Sequence, residues 1–202
     1  MKIGILDYNA CNLSSIYYSI YRIGYDPIII KKAKEITRID KLIIPGVGSA
    51  FHCLNYLKKN GIFEEIKKFL ELEKPILGIC LGLQIFSKKL YEHGVSEGFG
   101  LIDADVIPIH YLNYYNIGWS KLIFSKNHYL PKEVFLNNIF YFCHSYQLKF
   151  NNSSENNFCR AYIKNKNKIP SIIIKNNFIG VQFHPEKSQK NGENLIKFFL
   201  NL

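Results

Sequence analysis

The chain has 202 residues, of which 48% are hydrophobic and 15% aromatic, with a formal charge of +10. That is enough apolar material for one large domain spanning residues 1–202. No apolar run reaches the roughly 18 residues of a membrane span, and no dense basic stripe with interleaved aromatics marks a nucleic-acid surface, so neither a membrane nor a nucleic acid is expected as partner.

Lys and Asn are spread along the whole chain beside abundant Ile, Tyr and Phe, a mix that reads as an AT-rich coding bias. The five cysteines, Cys11, Cys53, Cys80, Cys143 and Cys159, are odd in number and scattered, with no CxxC pair. A disulfide framework or a zinc site is therefore not expected, and all but Cys80 read as small buried hydrophobes. The chain runs from Met1 straight into a strand pattern, without the long apolar region of a signal peptide, which points to a cytoplasmic protein.

Residues 2–6 read as a short strand ending at Asp7. Asn12 can cap a helix whose apolar positions are Leu13, Ile16, Tyr17, Ile20 and Ile23, and Gly24 closes it. Strands follow at 27–30 and 41–45, the second running into Pro45-Gly46-Val47-Gly48. Two helical patterns come next, one around Phe51, Leu54 and Leu57, the other around Phe63, Ile66, Phe69 and Leu70. A strand at 75–79 leads into Gly78-Ile79-Cys80-Leu81-Gly82-Leu83-Gln84, and a helical pattern with Leu81, Ile85 and Leu90 on one side follows it. This β/α alternation with continuously apolar strands predicts a parallel sheet covered on both faces.

From about 101 to 183 the texture changes to short strands at 104–109, 121–124, 139–143, 147–150, 158–163, 171–175 and 178–183. Segments 151–157 and 164–168 are polar and read as surface loops. The last stretch, from Gln189, is helical again, with Leu195, Ile196, Phe199 and Leu200 on one side.

Cys80 falls where a buried strand should turn sharply into a helix, the arrangement of a nucleophile elbow with a thiol in place of serine. The flanking Gly78 and Gly82 let the backbone turn tightly. The helix start directs N–H groups and a positive dipole end at the sulfur, which favours thiolate. Taken alone, the heptad reads equally as a core cysteine between two turn glycines. A thiol nucleophile needs a base, and the base needs a group to orient it. The apolar run 178–183 ends in His184-Pro185-Glu186. If the chain turns at Pro185, Glu186 can reach the distal ring nitrogen of His184. Acyl transfer also needs an oxyanion hole. Leu81 N–H is one candidate donor, and the Pro45-Gly46-Val47-Gly48 segment, where two glycines let a peptide unit reorient, is the source of the other; by itself that segment reads as a plain strand-to-helix turn.

Together these residues resemble the triad-type (class I) glutamine amidotransferases. Within that superfamily the chain is most similar to the glutaminase subunits of imidazole glycerol phosphate synthases. The markers run from Gly4-Ile5-Leu6-Asp7-Tyr8 and Asn12-Leu13 through Pro45-Gly46-Val47-Gly48 and Gly118-Trp119 to Tyr141-Phe142-Cys143-His144-Ser145-Tyr146 and His184-Pro185-Glu186-Lys187-Ser188. The resemblance implies a flavodoxin-like α/β fold with a central, mostly parallel sheet, helices on both faces and extra antiparallel strands in the second half. It implies hydrolysis of L-glutamine to glutamate and ammonia through a thioester on Cys80, with His184 as base and then acid, Glu186 as its orienter, and the Val47 and Leu81 N–H groups, flanked by Gly46 and Gly48, as the oxyanion hole. Gln84, Glu92, Ser145 and Tyr146 match positions that hold glutamine. Asn12, Trp119, Tyr141 and Lys187 match positions facing a (β/α)8-barrel cyclase that receives the ammonia in a heterodimer. No metal or organic cofactor is implied.

Two segments depart from the family pattern. Leu90-Tyr91-Glu92 stands where the family reads Ser-Glu-Glu, and Tyr115-Asn116-Ile117-Gly118-Trp119-Ser120 stands where it usually reads Pro-His-x-Gly-Trp-Asn. The second departure motivates an alternative: a paralogous subunit supplying ammonia to a different cyclase-like partner for amidination of a surface sugar. A cysteine-peptidase-like hydrolase would leave the Val-Gln-Phe run before His184 without a reason. A non-catalytic binding subunit would leave the intact Cys80, His184 and Glu186 without one.

Overall fold

A computed structural model describes residues 1–9, 12–109, 115–125, 130–131, 137–151, 158–164 and 168–202. Cys11, most of the 151–157 segment and residues 165–167 of the polar 164–168 segment lie outside the described residues, and with them those expectations.

The chain opens with β1 (Ile3–Leu6), α1 (Leu13–Tyr21), β2 (Ile28–Ile30), a one-turn α2 (Ala33–Ile36), β3 (Lys41–Ile44), α3 (Ala50–Lys59), α4 (Ile62–Glu71) and β4 (Ile76–Ile79). It continues through a one-turn α5 (Leu81–Gln84), β5 (Ser87–Leu90), β6 (Ser96–Glu97), β7 (Ile102–Pro108), β8 (Asn116–Phe124), β9 (Ile139–His144), β10 (Tyr146–Phe150), β11 (Cys159–Lys164), β12 (Lys168–Lys175) and β13 (Phe178–Val181). A 3-10 turn at Pro185–Lys187 and α6 (Gln189–Leu200) close it.

Nine strands form one sheet in the order β2-β1-β3-β4-β13-β12-β11-β8-β9. The half from β2 to β13 is parallel. The half from β13 to β9 is antiparallel. The sheet is thus evenly mixed, its parallel strands gathered at one end. A second, four-stranded sheet runs β10-β7-β5-β6.

The pleat sends alternate side chains to opposite faces. Ile3, Ile5, Ile43, Leu77, Ile79, Ile179 and Val181 pack with Ile16 and Ile20 of α1 and with Leu195, Ile196 and Phe199 of α6. Leu6, Leu42, Ile44, Ile76 and Phe178 pack on the other face with Leu54 and Leu57 of α3 and Phe63, Ile66 and Phe69 of α4. This double burial is why the strands read as unbroken apolar runs. Asn12 caps α1 as expected, its side chain accepting from the Ser15 N–H at 3.4 Å.

Two expectations are corrected here. The helix after the elbow ends at Gln84, and Ser87–Leu90 is a strand. The Ile85, Phe86 and Ser87 carbonyls accept from the Phe99, Ile102 and Gly100 N–H groups at 2.8, 2.9 and 3.1 Å. With those acceptors taken from outside, the helical ladder cannot continue. Cys143 is exposed rather than buried: it sits between Phe142 and His144, which point inward from β9, so the alternation turns it outward. Cys53 and Cys159 are buried as expected. The short α2 had no signature in the sequence.

Candidate active site

Three adjacent parallel strands end at the same edge, where ligands bind in open α/β sheets. β3 delivers Pro45-Gly46-Val47-Gly48, β4 delivers Cys80 and β13 leads to His184. The register places Ile44 beside Gly78 and Val181 beside Ile79, and the Cys80 N–H donates to the Val181 carbonyl at 2.7 Å.

Cys80 has φ 51° and ψ −105°, a left-handed backbone that a side-chain-bearing residue rarely adopts. The strain is held by close packing. A Cβ on Gly82 would lie 2.0 Å from the Ile44 carbonyl oxygen, and one on Gly46 would lie 2.4 Å from Leu81 N. The two glycines therefore let the 45–48 segment lie directly against the start of α5, beside the Leu81 N–H.

His184 is 2% exposed. Its Nδ1 donates to Glu186 Oε1 at 2.8 Å. Pro185 opens the 3-10 turn, and this turn, not a continued strand, brings Glu186 under the ring. Burial pushes the imidazole down, but its hydrogen bonds to Cys80 and then Glu186 outweigh that and raise its pKa to about 10. Ser188 braces His184: its Oγ donates to the His184 carbonyl at 2.6 Å and accepts from the Tyr141 N–H at 3.0 Å.

In front of Cys80 lies a cavity of about 260 Å³. Gly46, Val47, Gly48, Leu81, Gln84, Glu92, Ser145 and Tyr146, all expected at the site, line it, together with Cys143 and His144. His184 and Glu186 are not among the lining residues; His184 reaches the site through its hydrogen bond to the Cys80 sulfur. Gln84 Nε2 donates to the Tyr146 carbonyl and to Gln182 Oε1, each at 3.0 Å, so both its N–H groups are used and only Oε1 remains for a ligand. Glu92 Oε2 accepts from the Ala50 N–H at 2.5 Å, capping α3, whose Ser49 makes no side-chain cap bond. The Tyr8 hydroxyl lies 3.0 Å from the Pro45 carbonyl and 3.2 Å from the Val47 carbonyl, sharing its one proton between them.

Sequence reasoning gave no role to His144, Gln182, Ser188 or Tyr8. His144 Nδ1 donates to the Tyr146 carbonyl at 2.7 Å, and Nε2 therefore accepts from Asn116 Nδ2 at 3.0 Å. Burial above all, with the charge of His184, lowers its pKa to about 4, so it stays neutral. Asn116 is the residue that replaces the family's usual His, and it faces inward to this ring. The departure in 115–120 thus reaches the cavity wall as well as the outer surface. A polar residue inside the apolar run 178–183 was the available signal for Gln182.

The expected partner-facing residues fall in two places. Trp119 packs edge-on against Tyr141 at 5.8 Å, and Lys187 Nζ lies 5.7 Å from the Tyr141 ring. Trp119 is 50% exposed and Ile117 60%. Asn12 is on the cap of α1, and that helix packs against the 3-10 turn that carries Lys187.

Residues 4–202 match the family model described as glutamine amidotransferase class-I. The chain is 38% identical over 198 residues to a protein of Caldanaerobacter subterraneus subsp. tengcongensis named imidazole glycerol phosphate synthase subunit HisH, covering 98% of this chain and 96% of that one. It is 39% identical over 204 residues to the protein of the same name from Lactococcus lactis subsp. lactis, covering 98% of each. A solved structure titled crystal structure of glutamine amidotransferase shares the fold with TM-score 0.74 at 18% identity, covering 100% of this chain and 98% of that one.

Proposed function

The chain belongs to the class-I glutamine amidotransferase family, and from that premise we propose that it is the glutaminase subunit of an imidazole glycerol phosphate synthase, releasing ammonia from glutamine for histidine biosynthesis. The observation that carries the chemistry is Cys80 on a strained elbow with His184 hydrogen-bonded to its sulfur and Nδ1 of that ring held at 2.8 Å by Glu186. The relatives' shared name favours this role over the surface-sugar alternative.

In the reaction, His184 takes the Cys80 proton and the thiolate attacks the carboxamide carbon of glutamine. The oxyanion is met by the Leu81 N–H and a second N–H from the 46–48 segment, Val47 foremost. As the C–N bond breaks, the imidazolium gives its proton to the leaving nitrogen, and ammonia departs. Water then attacks the thioester with His184 as base, releasing glutamate and restoring the thiol. Glu186 holds the ring and balances its charge throughout. Gln84 Oε1, Glu92, Ser145 and Tyr146 hold the amino-acid end of the substrate.

The surface formed by Trp119, Tyr141 and Lys187, with Asn12 on the neighbouring cap, is the docking face for a (β/α)8-barrel cyclase, which takes the ammonia. Its exposed Ile117 and Trp119 are apolar area that such a contact would cover. No helix among the described residues is long and apolar enough to cross a membrane.

The test is turnover of the chain mixed with its organism's histidine-pathway cyclase, with and without the cyclase's nucleotide. Strong stimulation by the loaded partner is expected. Cys80→Ser should lower glutamine-dependent synthesis at least about a thousandfold while ammonia-dependent synthesis continues. Loss of both would overturn the ammonia-supply role. Absence of binding and stimulation, with Cys80 still alkylated by a glutamine analogue, would move the assignment to another cyclase-like partner.

A further inference from the structure

Gln182 lies one position past β13 and two before His184, and none of its surface is exposed (0%). Its backbone N–H donates to the Ser171 carbonyl at 3.0 Å. Its side-chain amide is oriented by a neighbour: Oε1 accepts from Gln84 Nε2 at 3.0 Å. That same Gln84 amino group is anchored on the Tyr146 carbonyl. With Oε1 taken as acceptor, Nε2 must face the other way, and there it lies 3.5 Å from Cys80 Sγ. The amide is therefore fixed by its bonding and has one orientation that satisfies both ends.

Besides the His184 ring, which hydrogen-bonds the sulfur and balances its charge as imidazolium, the sulfur has two neighbours of opposite kind. The Cys143 carbonyl, 3.8 Å away, accepts from the thiol and does nothing for a thiolate. The Gln182 N–H donates to sulfur in either state, and more strongly once the sulfur is charged. In this buried place no water need be reorganised to supply that bond.

We propose that Gln182 is a further catalytic residue of the glutaminase, its side-chain N–H donating to the Cys80 sulfur whenever that sulfur is a thiolate, with Gln84 as the positioning residue that aims it. The inference rests on Cys80 being the nucleophile, as assigned above. When the C–S bond forms, charge leaves the sulfur for the oxyanion and the Gln182 bond weakens. When the second tetrahedral adduct collapses, the C–S bond breaks, the electron pair returns to sulfur, and the N–H is already in place to receive it. Gln182 thus assists the thiolate both as attacking and as leaving group. Gln84 has two tasks, the carbonyl oxygen turned to the cavity and the amino group turned to the relay.

The readout is the pH dependence of Cys80 alkylation by iodoacetamide in the full chain, which needs no bound glutamine. Gln182→Met keeps length and removes the donor, and should raise the alkylation midpoint by about one pH unit. Gln182→Glu keeps the acceptor for Gln84, puts a carboxylate beside the sulfur, and should raise the midpoint further. Gln84→Met should raise it as well, and the double substitution with Gln182→Met should add little, because the two act through one bond. In the unsubstituted chain, the Gln182 side-chain amide protons, followed by NMR, should shift with the same midpoint as the alkylation. Unmoved midpoints in folded variants, or amide protons indifferent to Cys80 ionisation, would overturn the proposal and leave Gln182 a packing residue. Undiminished glutamine turnover by Cys80→Ser would instead overturn the nucleophile assignment on which it rests.

Discussion

The parallel and antiparallel halves of the sheet each bury a histidine beside Cys80, and one is a cation while the other is neutral. His184, at the end of the parallel half, is 2% exposed, and His144, at the end of the antiparallel half, is 7% exposed. Burial pushes both imidazoles down. What differs is the partners. His184 has a carboxylate on Nδ1 and the Cys80 sulfur as its other partner, and its pKa is raised to about 10. His144 has a carbonyl on Nδ1 and an amide N–H on Nε2, and its pKa falls to about 4. An amide donor on Nε2 requires a lone pair there, so it favours the neutral ring. One residue type at similar burial thus becomes a cation in one half, the acid–base group of the proposed mechanism, and a neutral strut for the Ser145-Tyr146 wall in the other.

The largest expected effect comes from removing what separates them. Glu186→Gln leaves His184 with a neutral partner that can also stabilise the wrong tautomer. Glutaminase turnover in the stimulated complex should fall by about a thousandfold or more, with the KM for glutamine little changed. A loss of tenfold or less would mean that burial and Cys80 alone set the state of His184.

The opposite pKa shifts also give opposite pH dependences of stability. His184 has a folded pKa above its unfolded value of about 6.5, so its contribution is fully present below pH 6.5 and is lost as pH rises toward about 10. His144 has a folded pKa below that value, so its contribution is present above pH 6.5 and is lost as pH falls toward about 4, by roughly 2 to 3 kcal/mol. Urea midpoints followed against pH should decline on both sides of pH 6.5. Glu186→Gln should flatten the alkaline limb, and His144→Gln the acid limb. Both limbs persisting in both variants would place the titration elsewhere.

The same contrast explains what could be read from the sequence. The parallel half was legible because its strands are buried on both faces and its site residues are local: Cys80 between close-packed glycines, and Glu186 two positions from His184. The antiparallel half gave its strands through alternation, but its polar contacts join residues far apart in the chain. Asn116 meets His144 only once the strands are assembled, as Gln84 of the parallel half meets Gln182 past the end of β13. The end of α5 was misread for the same reason, since the 98–102 segment that takes its carbonyls cannot be located from the spacing of Leu81, Ile85 and Leu90.

The smallest and sharpest change is Asn116→Asp, which offers His144 the kind of partner His184 has. If partners decide, the new carboxylate accepts from a protonated Nε2 while Nδ1–H keeps its bond to the Tyr146 carbonyl, and His144 becomes a cation. The net change in stability at pH 7 should be small, about 1 kcal/mol or less, because a buried ion pair roughly balances its desolvation. The acid limb should disappear, since the folded chain would then hold the proton that the unfolded chain takes up at pH 6.5. Turnover should fall only a few-fold, through repulsion between the new imidazolium and His184. NMR of the ring nitrogens separates the outcomes. Two protonated nitrogens at pH 7 would establish that the partner sets the charge; a ring still neutral, with the proton on residue 116 instead, would show that burial overrides the partner in this half of the molecule.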